Sequence, residues 1–274
     1  MIGFHNGVFR ELSEISIPIT SISINRGYGA FEFFEVINHR PFYGDRHLVR
    51  FHHSLRCLKL KTDFDNRLDQ IVGELIERTP LSDFYIKMFA LPHESLHNGN
   101  YEASLYLFPT VMPVYDDSIY KEGAHLILKN YMRFMPEAKS TNYLAGQYWI
   151  DEITDKQIVD VLFHYEDIIS ETSRGNIFSV CKGEVTTPGQ NILKGITRSI
   201  VVDILNSKGI PFKEANIHIS ELLCADELFL SSTTKLVLPI TQTGNTTIGN
   251  GKPGEITQII MAEFKKIKEM FREL

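Results

Sequence analysis

The order of elements in this 274-residue chain predicts an α+β protein with mixed sheets, divided into two domains. Three observations carry that reading. Short β-rich runs and helices alternate without a regular βαβ period, two stretches before Pro80 show helical apolar spacing, and Pro109 to Gly123 is rich in Pro, Asp and Tyr with no period.

Phe4 to Phe9 carries a turn-like His-Asn-Gly, and Phe31 to Ile37 reads as a strand that Asn38-His39-Arg40-Pro41 turns into Pro41-Phe42-Tyr43. From Asp45 to about Lys61, Leu48, Phe51, Leu55 and Leu58 recur at helical spacing, with Arg46, Arg50 and Arg56 on other faces. A second helix is predicted over Asn66 to Arg78, ending before Pro80. Strands follow at Phe84 to Leu91 and Ala103 to Pro109. The aperiodic stretch then suits a joining segment, which divides the chain into 1–115, a loop at 116–124, and 125–274. Beyond it the pattern predicts strands at 125–131, 160–165, 168–170, 177–182, 227–231 and 236–241, and helices at 142–155, 198–208, 220–224 and 255–271. No repeat or low-complexity tract interrupts the order.

A net charge of −6 argues against nucleic acid or an anionic membrane as the main partner. Cys57, Cys181 and Cys224 are odd in number and form no CxxC pair, which suits thiols packed as small hydrophobes in a reducing, cytoplasmic setting. The first residues lack a signal-peptide pattern, and no apolar run reaches membrane-spanning length.

Four segments hold candidate chemistry. Lys139 is a lone cation among small, polar and apolar neighbours in Glu137-Ala138-Lys139-Ser140-Thr141-Asn142, where desolvation would favour the nucleophilic free amine. Glu171 opens Glu171-Thr172-Ser173-Arg174-Gly175-Asn176; if buried it needs a cationic or protonated partner, and read alone the segment also fits a solvated turn. Gly195-Ile196-Thr197 precedes a helix start, whose free N–H groups suit phosphate, although Thr197 also fits a plain N-cap. Ser231-Ser232-Thr233-Thr234 offers four hydroxyls after a strand, either an anion cradle or a polar loop.

Other patterns fail. Gly249-Asn250-Gly251-Lys252-Pro253 is no P-loop, because Pro stands where Ser or Thr is required. His47, His52, His53, His93 and His97 lack the accompanying spacing of a metal site and read as surface or pocket histidines.

Taken together with Arg26-Gly27-Tyr28-Gly29-Ala30-Phe31-Glu32 and His47-Leu48-Val49-Arg50-Phe51, the four segments occur in an order that resembles the class IV, or fold type IV, pyridoxal-phosphate enzymes. That family includes branched-chain and D-amino acid aminotransferases and aminodeoxychorismate lyases. The resemblance covers nearly the whole chain. It implies a small sandwich-like α+β N-terminal domain, a larger C-terminal domain with a barrel-like mixed sheet, pyridoxal 5'-phosphate in the cleft between them, and a homodimer. It assigns Lys139 as Schiff-base lysine and proton carrier, Glu171 to the pyridine nitrogen, and Arg50, Ile196, Thr197, Ser232 and Thr233 to the phosphate. Tyr143 would lie near the ring's phenolic oxygen.

Glu32 matches a glutamate of the aminotransferase branches, where the lyases tend to have threonine. The implied reaction is ping-pong transfer of an amino group from an amino acid to a 2-oxo acid, with aminodeoxychorismate lyase as the alternative and a noncatalytic binding module behind it. On the substrate side Phe31 replaces a tyrosine of the D-amino acid enzymes. Lys87 stands where branched-chain enzymes tend to have arginine, so it would hold a carboxylate as a point charge without a bidentate fork.

Overall fold

A computed structural model of the protein describes residues 1–93, 101–111 and 115–274. The chain divides into two compact units, Met1–Pro113 with Glu137–Asn142, and Val114–Pro136 with Tyr143–Leu274.

The first unit contains β1 (Ile2–His5), β2 (Val8–Glu11), α1 (Ile22–Arg26), β3 (Ala30–Ile37), β4 (Arg40–Pro41), α2 (Gly44–Cys57), β5 (Leu60–Lys61), α3 (Leu68–Glu77), β6 (Phe84–Pro92) and β7 (Tyr101–Thr110). Its sheet runs β2-β1-β7-β6-β3-β4, with β5 added in parallel on β7. Strand alternation separates two faces. Phe34, Val36, Ile86, Met88, Leu105 and Leu107 are fully buried on one face, and α2 and α3 bring Phe51, Leu55, Ile71 and Leu75 to the same core. Phe51 has no exposed surface. Phe51→Ala is expected to cost about 3–5 kcal/mol in denaturant unfolding at unchanged slope; a cost under about 1 kcal/mol would contradict this packing.

The predicted helix over Asp45 to Lys61 ends early, at Cys57. Lys59 takes a left-handed conformation (φ 53°), which stops the helix and frees Leu60 and Lys61 to pair with Tyr101 and Glu102. Residues 65–67 form a separate 3-10 turn, so α3 starts at Leu68 rather than Asn66. The short α1, capped by the Ser21 hydroxyl and closed by left-handed Gly27, has too few turns to leave a periodic signal.

The second unit contains α4 (Ser118–Glu122), β8 (Ala124–Asn130), α5 (Leu144–Asp151), β9 (Ile158–Tyr165), β10 (Ile168–Thr172), β11 (Asn176–Cys181), β12 (Glu184–Thr187), α6 (Ile196–Lys208), β13 (Phe212–Glu214), β14 (Ile217–His218), α7 (Ile219–Leu223), β15 (Glu227–Ser232), β16 (Leu236–Thr243), β17 (Thr246–Thr247) and α8 (Glu255–Glu273). Residues 116–124 therefore hold α4 and the start of β8. The strands β11-β15-β16-β8-β9-β10 follow one another, and Glu171 pairing with Asn176 joins β10 back to β11, which closes a barrel. One apolar cluster takes side chains from all of these strands, among them Leu126, Leu162, Ile169, Ile177, Leu230 and Leu238.

The predicted helix at 142–155 shortens to α5 because Thr141 N–H bonds the Gly29 carbonyl, which holds residues up to Asn142 in the first unit. Cys181 and Cys224 are exposed, so neither is a packed hydrophobe, and all three cysteines are free. No helix among the described residues is long and apolar enough to cross a membrane.

Candidate active site

In the first unit, Lys139 is held by backbone bonds on both sides. Its N–H donates to Ser54 Oγ at 3.0 Å, its carbonyl accepts from Phe31 N–H at 2.9 Å, and Ser140 bridges to Ala30. The segment is thus laid along the start of β3, and Lys139 Nζ lies 4.4 Å from the centre of the Phe31 ring. A cation over a ring face is attracted by the ring quadrupole, while the apolar surface limits its hydration.

Beneath this lies a buried ionic cluster. Arg50 on α2 donates to Glu32 through Nε (2.9 Å) and Nη2 (2.6 Å), and His47 Nδ1 is 3.1 Å from Glu32 Oε1. Burial alone would raise the Glu32 carboxyl, but Arg50 and then His47 outweigh it and hold it well below the usual carboxylate range. The forked pair fixes Arg50 in orientation.

Burial pushes His47 below its ordinary 6.5, opposed by Glu32 and reinforced by Arg50 and Lys139. A folded-state value below the unfolded one means the unfolded chain binds more protons, so stability is lost as pH falls below about 6.5. Melting temperature is expected to drop between pH 7 and pH 5, and less steeply in His47→Asn; equal slopes would refute the assignment.

Lys87 lies on the other face of the sheet from Glu32. Register places Phe31 opposite Phe89, Phe33 opposite Lys87, and Lys87 opposite Phe108. Phe31 and Phe89 stack at 5.8 Å, Phe33 and Tyr85 at 5.1 Å, and Phe89 and Phe108 at 6.0 Å, with Lys87 Nζ 6.0 Å from the Phe33 ring. All six are partly exposed. Of the histidines, His47 is buried, His93 contacts Ser104, and His97 lies outside the described residues.

In the second unit, Glu171 sits within β10, not in a turn, and is buried. Arg133 Nη1 donates to its Oε1 at 2.8 Å, and Leu193 N–H donates to its Oε2 at 2.9 Å. Burial pulls the Arg133 guanidinium down, but Glu171 and then Tyr143 outweigh it and hold it above its ordinary value. Tyr143 lies with its ring 5.6 Å from the Arg133 guanidinium carbon.

Leu193 opens a run that ends at the start of α6, and Asn176 organises it. Asn176 Nδ2 donates to the Leu193 carbonyl at 2.8 Å, and its Oδ1 accepts from Gly195 N–H at 3.2 Å. A Cβ on Gly195 would collide with that Oδ1, so only glycine permits the approach. Gly195 caps α6 without a side-chain bond, and Thr197 is a buried residue of the first turn rather than the N-cap. The opening N–H groups of such a helix have no acceptor of their own.

Asn176 also pairs with Ser231, whose Oγ is buried without a hydrogen-bond partner. Ser232 Oγ accepts from Lys235 N–H, and Thr233 and Thr234 are half-buried. These donors fit pyridoxal phosphate. Ser231 Oγ and the α6 amides suit a phosphate, and the buried Glu171 carboxylate, an acceptor at both oxygens, suits a protonated ring nitrogen. Gly195→Ala is expected to weaken pyridoxal phosphate binding roughly tenfold in equilibrium titration; unchanged affinity would remove this turn from the site.

Lys139, Phe31 and Arg50 thus gather around β3 and α2, and Lys87 shares the Phe31 face. Glu171 and Tyr143 meet at Arg133, while Asn176 ties the start of α6 to the β15 strand end. Sequence reading gave no role to Arg133, Asn176 or His47. Arg133 has a visible signal, a single cation inside Tyr131-Met132-Arg133-Phe134-Met135.

The sequence profile of the family described as Amino-transferase class IV matches residues 29–243. The D-alanine aminotransferase of Bacillus licheniformis is 26% identical over 263 residues, covering 92% of each chain. The branched-chain aminotransferase of Thermoproteus uzoniensis, solved with norvaline, superimposes with a TM-score of 0.88 at 26% identity, over 100% of this chain and 96% of that one. The T.th. branched-chain amino acid aminotransferase with pyridoxamine 5'-phosphate shares the fold, with a TM-score of 0.89 at 23% identity over 97% and 93% of the two chains. The chain belongs to the class IV aminotransferase family and is a pyridoxal phosphate-dependent transaminase. The fold type IV architecture expected from the sequence, with its barrel-like sheet, is the one observed.

Proposed function

We propose that the enzyme moves the amino group of an amino acid with an apolar side chain to a 2-oxo acid, and that Lys139 both attaches the cofactor and carries the proton. When bound, the cofactor supplies an electron-withdrawing ring that stabilises charge on the substrate carbon. The remaining roles belong to the chain. Glu171, ion-paired with Arg133, holds a proton on the ring nitrogen. Ile196, Thr197, Ser232 and Thr233 bind the phosphate, together with Arg50 oriented by Glu32, and Tyr143 orients the ring oxygen.

The aromatic face beside Lys139 carries the substrate reading. Phe31, Phe33, Phe89 and Phe108 offer apolar contact, and Lys87 stands among them on the same face of the sheet, suited to a carboxylate. A screen of L- and D-amino acids should give the highest kcat/KM with apolar donors, and Lys87→Met should raise KM roughly tenfold with little change in kcat. Preference for acidic or hydroxylated donors, or a Lys87 variant with unchanged KM, would sink this assignment.

Glu32 separates this reading from the lyase alternative. Pyruvate release from aminodeoxychorismate without conversion of any amino donor would reverse the choice. We also propose a homodimer in a reducing cytoplasm, supported by the family and by three free thiols. Sedimentation at monomer mass, or recovery of the native protein with oxidised thiols, would contradict these two points.

A further inference from the structure

Lys235 and Asp160 form an ion pair that the proposed chemistry does not use. Lys235 Nζ lies 3.2 Å from Asp160 Oδ2, and the two residues are only 2% and 0% exposed. A buried pair of this kind contributes little over a well-packed apolar pair, because desolvation offsets the attraction. Its placement is more informative than its energy.

Lys235 closes the turn between β15 and β16. Its N–H donates to Ser232 Oγ at 3.0 Å, its carbonyl accepts from the Tyr120 hydroxyl at 3.2 Å, and the next residue, Leu236, is left-handed with φ 54°. A non-glycine residue in that region is uncommon and needs surrounding contacts to hold it. The bent-back turn presents Thr233 and Thr234. At the other end of the pair, Asp160 Oδ1 accepts from Ser173 Oγ at 2.5 Å and from Val161 N–H at 2.8 Å. Ser173 lies two residues beyond Glu171, and its N–H donates to the Val161 carbonyl at 3.1 Å.

One buried pair therefore bolts the hydroxyl turn to the strand end that follows Glu171. We propose that Lys235 and Asp160 are positioning residues that fix the Thr233–Thr234 turn for the cofactor phosphate. This rests on the reading that the turn binds that phosphate. The pair touches neither phosphate nor ring; it acts by holding the turn in one conformation against the Ser173 anchor.

The test compares pyridoxal phosphate with pyridoxal, which lacks the phosphate, in equilibrium binding to the full-length apoprotein. Because Lys235→Met alone leaves Asp160 buried and uncompensated, the Asp160→Asn/Lys235→Met double variant is measured beside it. The expected result is a roughly tenfold loss of pyridoxal phosphate affinity in the double variant with pyridoxal affinity unchanged, as is typical when a supporting shell is removed. Equal weakening of both ligands, or no change in either, overturns the inference even if the melting temperature falls. A wild-type protein that binds neither ligand fails at the proposed function itself, an outcome distinct from a variant that binds both normally.

Discussion

Lys139→Ala is expected to reduce transamination at least roughly a thousandfold with every donor, while the protein stays folded. The effect should be large because one amine is assigned two tasks, covalent attachment and proton transfer. The fold should survive because Lys139 is tied into the first unit by backbone groups, to Ser54 Oγ and to Phe31 N–H, which the substitution keeps. Single-turnover rates together with a thermal melt would check both halves. A variant retaining a tenth of the wild-type rate would move both tasks to another residue.

Glu171→Gln should show the second large effect, a fall in turnover of roughly a hundredfold or more, because a neutral amide no longer stabilises a protonated ring nitrogen. It should also cost about 3–5 kcal/mol of stability, since Arg133 loses its counter-charge in a buried setting. The two losses can be separated. Glu171→Gln combined with Arg133→Met removes both charges, so stability should largely return while turnover stays low. Recovery of turnover along with stability would show that Glu171 serves only the Arg133 pair.

The sequence made some parts of this molecule visible and hid others, for identifiable reasons. The core face of α2 could be read because Leu48, Phe51 and Leu55 recur at helical spacing, and burial at those positions follows. Lys139 stood out as a lone cation among small, polar and apolar neighbours. The barrel could not be read from pattern, and only the family resemblance supplied it. Its closure depends on parallel pairing of β8 with β9 and with β16, and on the contact of Glu171 with Asn176, long-range choices that leave no periodic trace.

Site partners were hidden for the same reason. Arg133 meets Glu171 across 38 positions of sequence, and Lys235 meets Asp160 across 75. Glu32 was noticed only as a marker between family branches; its physical work, gripping Arg50 and His47 beneath Lys139, appears only once α2 is laid against β3. Local sequence shows that a charge is isolated, and only the fold shows what neutralises it.

The most direct test of Lys139 as the cofactor-bearing residue is borohydride reduction of the protein loaded with pyridoxal phosphate, followed by peptide mass mapping. The account predicts a single phosphopyridoxyl modification on the peptide containing Glu137-Ala138-Lys139-Ser140, absent from Lys139→Ala. A modification fixed on any other lysine, or none in a protein that turns over amino donors, would contradict it.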